Sequence, residues 1–523
     1  MSHSSEKEDG TRAFFVNKKV TTQNTRQTIG KRGWNMIRPS LEEVSRLADG
    51  YDVIPIQEEI FADTVTPILL LRKIAASKKN YYLLESIEGG EKWGRYSFLG
   101  YDPIMRVSCK ERQVKIKDKQ GTQTIETEDP LQVLRNILKD FKAPKLAGMP
   151  PFAGGFVGYF AYAMIAQAER KLTIKRGEFE DYDLMLFDKV IAYDHLKQKI
   201  HIVTNVRTDD KLKENYAKAK ADIKGIVSLV RDQTPIKEEI AFDKVNFKCN
   251  VTEKEYAEIV EKTKKYIYDG DIFQAVLSRR FVSDYEGSLI NAYRVLRTTN
   301  PSPYMVYMNL DEVEIMSTSP ETLVRLQDGR LTTFPVAGSR PRGKDEAEDE
   351  ALVEDLMSDA KELSEHNMLV DLGRNDLGRI SQFGSVEVTK YQMIHKYSKI
   401  MHICSQVESD IREDKDALDA IKSVLPAGTL SGAPKIRACE IIDELETEPR
   451  GIYGGALGYI DFSGNLDTCI AIRMAVKKDN KVYVQAGGGI VADSQPELEY
   501  AESANKAKAV MLAIQNAKEA LQL

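Results

Sequence analysis

Apolar positions recur along this chain with two periods, one near two residues and one near 3.6, in alternating blocks. Residues 1–40 are polar and mixed in charge and follow neither period, which predicts a flexible tail. From Tyr51 onward, short apolar runs predict strands at 81–87, 96–100 and 105–116, the last alternating apolar and polar. Residues 130–141 carry a helical stripe, 155–162 are apolar and aromatic as in a buried strand, and 190–193 with 199–204 read as a hairpin. A helix is expected over 211–230. The stretch 231–248 is charged, contains Pro235 and has little periodicity, so it marks a boundary. It divides an N-terminal region, 50–232, from a C-terminal domain, 250–515, through a linker at 233–249.

Beyond the boundary, Thr252 and Glu255 form a capping-box pattern, followed by Tyr256, Ile259, Val260 and Ile267 on one helical face. Strands are expected at 273–281, 304–309 and 312–317, helices at 347–357 and 361–372, and further strands at 399–408, 453–461, 468–476 and 481–485. The chain closes with a long helix for which Ser494 is the expected cap, Pro496 the first turn and Glu497 the partner in a second capping box. Strand runs joined by hairpins, with helices between groups, indicate an α+β fold. At 523 residues the chain exceeds one ordinary core.

Composition narrows the function classes. A net charge of −6 and the lack of a basic, aromatic-rich cluster argue against a nucleic-acid surface, so an anionic substrate would need a local cationic site. The cysteines, Cys109, Cys249, Cys404, Cys439 and Cys469, are dispersed, as expected of reduced thiols in a cytoplasmic protein. The longest nearly apolar run, 154–166, falls short of the ~20 residues that span a bilayer, so no membrane association is expected.

Two glutamate pairs stand out. Glu362 and Glu365 are three residues apart, as are Glu499 and Glu502, and on a helix such residues share a face. Four carboxylates brought together would repel unless a hard cation such as Mg²⁺ lay between them. In AGGGIVADS, with its triplet Gly487, Gly488 and Gly489, the pattern Gly487-x-Gly489-x-x-Ala492 nominally fits a dinucleotide fingerprint, but no strand with an acidic ribose ligand follows the final helix. That leaves a tight turn or a backbone offering N–H groups to an anion. PVAGSRPRG (335–343) and PAGTLSGAPK (426–435) are small-residue loops with hydroxyls and cations, read as turns or as contacts for a carboxylate-rich molecule. His402 lies in an expected strand, and His366 lies on a helix beside the first glutamate pair.

Taken together, GDIFQAVLSRRF, STSPETLVR, PVAGSRPRG, KELSEHNMLVDLGRNDLGRI, YSKIMHICS, PAGTLSGAPK, IYGGALGY, TCIAIR, QAGGGIVADS and PELEYAESANKA resemble the chorismate-utilising enzymes in order and spacing. LLESIEGG, GRYSFLG and GGFVGYF in the N-terminal half are similar to the large subunits of anthranilate synthases. The resemblance implies large antiparallel sheets packed face to face with helices outside. Relatives that make aminodeoxychorismate carry a lysine nucleophile where this chain has Ala337. Those that add water carry a lysine where it has Gln274. Neither residue can generate a nucleophile or act as base in the way a lysine can, so ammonia is the implied nucleophile and anthranilate with pyruvate the implied products. Ser339 replaces the usual threonine and keeps the hydroxyl.

By the same resemblance, Mg²⁺ is expected on Glu365 and Glu502 directly and on Glu362 and Glu499 through water. Glu321 is the implied acid for the departing ring hydroxyl, and His402 assists pyruvate elimination, with Gln274 beside them. Gly338, Ser339, Thr429, Tyr453, Arg473, Gly487, Gly488, Gly489 and Lys506 are implied to hold the substrate's carboxylates. No cysteine sits in a glutaminase GxCxG setting, so a separate glutamine amidotransferase subunit is the expected ammonia source. Tryptophan feedback is implied at Glu85, Ser86, Pro303, Tyr304, Met305, Leu457 and Tyr459. The competing readings are an aminodeoxychorismate synthase component and a non-catalytic tryptophan sensor on the same fold.

Overall fold

Strand runs joined by short turns assemble into two twelve-stranded antiparallel sheets in a computed structural model that describes residues 36–86, 94–236, 245–397 and 400–521. The inner faces pack on each other through Tyr82, Phe98, Met185, Val306, Ile315, Leu457 and Met474. The outer face of the first sheet is covered by helices Pro67–Ala75, Leu212–Arg231, Ile290–Thr299 and Pro496–Gln515. Helices Pro130–Lys139, Ala360–Gly378 and Ala417–Val424 cover the outer face of the second. The fold is thus the α+β arrangement of face-to-face sheets with helices outside.

Each sheet draws strands from both sides of the 233–249 stretch. In the first, strand Asn80–Glu85 pairs with Tyr304–Leu310; in the second, Gly155–Phe160 pairs with Ala456–Asp461. These two seams make residues 37–523 one compact unit, so 233–249 does not separate two bodies. Of that stretch, 237–244 lies outside the described residues, as do 1–35 of the expected tail. The last residues assigned to the tail are structured: Arg38 bridges to Gln57, and Ser40 caps helix Leu41–Leu47 in a complete capping box.

Several expectations are corrected. Residues 105–116 form a hairpin, Met105–Lys110 with Gln113–Asp118, turning at Glu111 with φ +57°. The buried positions change from odd (Val107, Cys109) to even (Val114) across that turn. Residues 468–476 divide between Leu466–Ile470 and Met474–Lys478, which lie in different sheets. The strand expected at 453–461 begins at Ala456, leaving Tyr453 in the preceding turn. Ser494 does not cap the last helix. Gln495 is the cap residue and makes no side-chain cap bond, because Ser494 Oγ donates to Glu499 Oε1 at 2.7 Å, and Glu497 closes no capping box. The Thr252–Glu255 capping box does form.

Candidate active site

Two chain crossings between the sheets place the first group of side chains. Glu321 lies between strand Val313–Ser319 of the first sheet and Thr322–Gln327 of the second, while Arg473 lies where Leu466–Ile470 gives way to Met474–Lys478. Backbone bonds lash the crossings together, Ile470 N to Glu321 O at 3.0 Å and Thr318 N to Arg473 O at 3.1 Å. Arg473 takes φ +47°, a conformation that is uncommon outside glycine and that turns the chain from one sheet to the other.

Glu321 is 8% exposed and accepts from Thr429 Oγ1 at 3.1 Å. Burial pushes its carboxyl up to about 8, against the pull of Thr429, the Val336 amide and Arg473. It is therefore a protonated acid at neutral pH. Burial also lowers Arg473 from its ordinary value, and the guanidinium makes no ion pair among the described residues. His402, on strand Ile400–Asp410, donates from Nδ1 to Gly338 O at 3.0 Å, which leaves Nε2 with its lone pair. Burial, reinforced by Arg473, holds its imidazole down at about 4, so it is neutral. Pro303, Pro320, Tyr397, His402 and Arg473 line one cavity of about 40 Å³. Gly338 supplies that carbonyl because it sits at a β-bulge with φ +67°.

The second group begins on the other side of Gly338, where an added Cβ would stand 3.2 Å from Glu362 Oε2. Glu362 and Glu365 share helix Ala360–Gly378, and Glu365 Oε1 accepts from Gln274 Nε2 at 3.4 Å. Gln274 Oε1 is buried without a partner among the described residues. Gln274 lies against Gly489, where a Cβ would fall 2.1 Å from its Nε2. Gly487, Gly488 and Gly489 are not a turn. They belong to strand Lys481–Ile490 and pair with Ser278, Leu277 and Val276. Their lack of side chains opens a floor under the last helix, since a Cβ on Gly488 would meet Glu499 Oε2 at 3.0 Å and Glu502 Oε1 at 3.7 Å. Lys506 Nζ bonds Glu502 Oε1 at 2.7 Å and Gly487 O at 3.1 Å, and the Gly487 backbone also bonds Tyr453. Ser339 pairs in register with His402.

Burial and the neighbouring Glu365 raise Glu362. Burial, followed in sense by Glu502, raises Glu499. Among the described residues no three His, Cys, Asp or Glu groups converge into a ready metal site. In donor chemistry the four glutamates still fit a hard cation, because they are all-oxygen and the repulsion within each pair is what such an ion would relieve.

Residues 79–512 match the family model described as chorismate binding enzyme. The chain belongs to that family. This chorismate-binding enzyme is 45% identical over 493 residues to anthranilate synthase component 1 of Acetivibrio thermocellus, covering 92% of this chain and 100% of that one. It is 45% identical over 487 residues to the component 1 of Aquifex aeolicus strain VF5, covering 92% and 98%. The crystal structure of anthranilate synthase component I from Streptococcus pneumoniae TIGR4 superposes with a TM-score of 0.73 at 36% identity, covering 86% and 99%. The menaquinone-specific isochorismate synthase from Escherichia coli shares the fold, with a TM-score of 0.67 at 19% identity over 91% and 99%.

The seven residues expected to bind tryptophan lie at the two seams, on different faces. Glu85 and Met305 are register partners on the outer face of the first sheet. There the Glu85 carboxylate is already held by Arg297, with both contacts at 3.0 Å, and by Tyr293 OH at 2.9 Å. Leu457 and Tyr459 face the space between the sheets, where Tyr459 packs on Phe152 at 4.3 Å. Tyr304 OH bonds Thr322 and Asp467, Ser86 Oγ is buried without a partner among the described residues, and Pro303 lines the His402 cavity. Sequence reasoning missed Arg297 and Tyr293, whose helix Ile290–Thr299 it did not recognise. It also missed the buried pair of Asp376 and Lys435, bonded at 2.7 Å, for which RND and GAPK were the available signals.

Proposed function

We propose that this chorismate-binding enzyme is the chorismate-converting component of an anthranilate synthase, joining chorismate and ammonia to give anthranilate, pyruvate and water. The observation that carries the choice is the pair Ala337 and Gln274, which puts no lysine at either position where a relative would generate a competing nucleophile. Its similarity to the anthranilate synthase components 1 supports the same reading.

In this reading Arg473 and the Gly487–Gly489 backbone hold the substrate carboxylates, the guanidinium through its planar fork. Glu321, neutral and buried, donates its proton to the departing ring hydroxyl. His402, neutral with Nε2 free, takes the ring proton as pyruvate is lost. Glu365 and Glu502, with Glu362 and Glu499 behind them, would hold Mg²⁺, which supplies charge stabilisation at the ring carboxylate when bound. A separate amidotransferase subunit supplies ammonia from glutamine. Tryptophan inhibits at the seams, where both halves of the chain meet, with the unpaired Ser86 hydroxyl as one contact.

The purified chain incubated with chorismate, Mg²⁺ and ammonium is expected to develop anthranilate fluorescence. A 4-amino product that keeps its enolpyruvyl group would instead make it an aminodeoxychorismate synthase component.

A further inference from the structure

We propose that the cavity behind Glu321 holds the water that returns a proton to this carboxyl after each turnover, with Asp376 and Lys435 as its outlet toward solvent. The inference rests on Glu321 acting as the acid. The cavity is about 30 Å³ and is lined by Glu321, Thr333, Leu372, Gly373, Asp376 and Thr429 among others. That is room for one or two waters, with carboxyl and hydroxyl groups to bond them. It lies along helix Ala360–Gly378, which also carries the Glu362–Glu365 pair toward its N-terminal end.

The chemistry requires that a proton return to Glu321. Donation breaks the Glu321 O–H bond while the ring C–O bond leaves with its electron pair; the proton completes a water molecule and Glu321 is left as a carboxylate. The nitrogen that adds as ammonia sheds one proton on becoming an amine. One proton must therefore return to Glu321 per turnover, and the overall reaction neither takes up nor releases any. Arg473 lines a separate cavity with His402, so a substrate held on Arg473 leaves the cavity lined by Glu321 open to water.

Asp376 has no part in holding substrate. Its Oδ2 accepts from Lys435 Nζ at 2.7 Å, and the same ammonium donates to Val424 O at 2.9 Å. Both side chains are 10% exposed, so the pair touches cavity and surface. Arg379 is the other charge acting on Asp376. A buried ion pair of this kind is weak evidence for stability alone, which leaves a functional role open to it. Burial raises the Asp376 carboxyl to about 6 against the pull of Lys435, within the range in which a group both takes and gives protons near neutrality.

The test compares the first turnover with steady state. In Gly373→Ala the new Cβ would stand 3.2 Å from Thr333 Cγ2 and 3.6 Å from Pro335 Cγ, constricting the cavity without touching Glu321. Alanine is favoured inside a helix, so folding is kept. Asp376→Asn removes the charge at similar size. With ammonium as nitrogen donor, both variants should keep the first-turnover rate within about twofold while kcat falls about tenfold, a fraction of a general acid's worth. Imidazole buffer should restore kcat in Asp376→Asn, which loses the titrating group at the surface, and not in Gly373→Ala, which narrows the path itself; in both the solvent isotope effect on kcat should rise. An unchanged kcat in both variants, or first turnover and kcat falling together without rescue, overturns the proposal. Failure of the underlying reading would show separately, as a Glu321→Gln variant that keeps its first turnover.

Discussion

Replacing Glu321 with glutamine should make the protein more stable as it makes the enzyme inactive, and the stability gain should grow with pH. The carboxyl is raised from an ordinary 4.5 to about 8, chiefly by burial. A carboxyl with a raised folded value binds its proton more tightly folded than unfolded. Folding therefore loses stability as pH rises from 4.5 toward 8, and the loss levels off above 8. At about 1.4 kcal/mol per unit, the penalty is roughly 2 kcal/mol at pH 6 and roughly 4 kcal/mol at pH 8. Glutamine carries no such penalty, and its carbonyl can still accept from Thr429. Its amide N–H groups bring a cost of about 1–3 kcal/mol if unpaired, but that cost does not vary with pH. Urea unfolding of both proteins at pH 6 and pH 8 should thus show the variant's advantage widening by about 2 kcal/mol. In parallel, the parent's activity should decline above about pH 8 as the acid ionises. A difference that stays flat or narrows with rising pH would refute the buried, protonated carboxyl and with it the assignment of Glu321 as acid.

Gly488→Ala places a methyl 3.0 Å from Glu499 Oε2, and the Mg²⁺ concentration for half-maximal activity should rise about tenfold or more, read by metal titration of the ammonium-driven rate. Arg473→Lys keeps the charge and loses the fork, so KM for chorismate should rise about tenfold with kcat less affected; an unchanged KM removes Arg473 from substrate binding. Arg297→Met leaves the Glu85 carboxylate buried without its cation, and unfolding should show a loss of roughly 3–5 kcal/mol. Ser86→Phe puts a ring where a buried hydroxyl now stands beside the first seam, and tryptophan inhibition should disappear while the uninhibited rate is retained; persistent inhibition contradicts the feedback site.

Local pattern in the sequence reveals what local physics decides. The capping box at Thr252 and Glu255 and the hairpin of Lys189–Asp194 with Lys199–Arg207 depend on neighbours a few residues apart, and they stand where the pattern puts them. The 105–116 hairpin was encoded as a parity change that a search for alternation passes over. Ser494 misled because a helix cap and a bond to Glu499 one turn later use the same hydroxyl, and only packing against the glycine strand decides between them. Arg473 is implied by resemblance, yet its position depends on a switch between sheets that the mostly apolar stretch 468–476 conceals.

The electrostatics of the site belong to the assembled fold. Glu321 and Arg473 are about 150 residues apart in sequence, and neither is unusual where it stands; in the proposed mechanism, what suits one to be an acid and the other a carboxylate receptor is that two adjacent sheet crossings bury the carboxyl and hold it within electrostatic reach of the guanidinium. Glu321 escapes the cost of a buried charge by keeping its proton, so it offers no formal anion to the Arg473 guanidinium, which makes no ion pair among the described residues. Had the same glutamate ionised, its charge would compete with the proposed dianionic substrate for the Arg473 guanidinium. In the proposed mechanism, burial deep enough to protonate Glu321 thus serves both its role as acid and the availability of the arginine to a carboxylate from outside. The two functions stand or fall together: a substitution that lets water reach Glu321 should weaken chorismate binding as well as proton transfer.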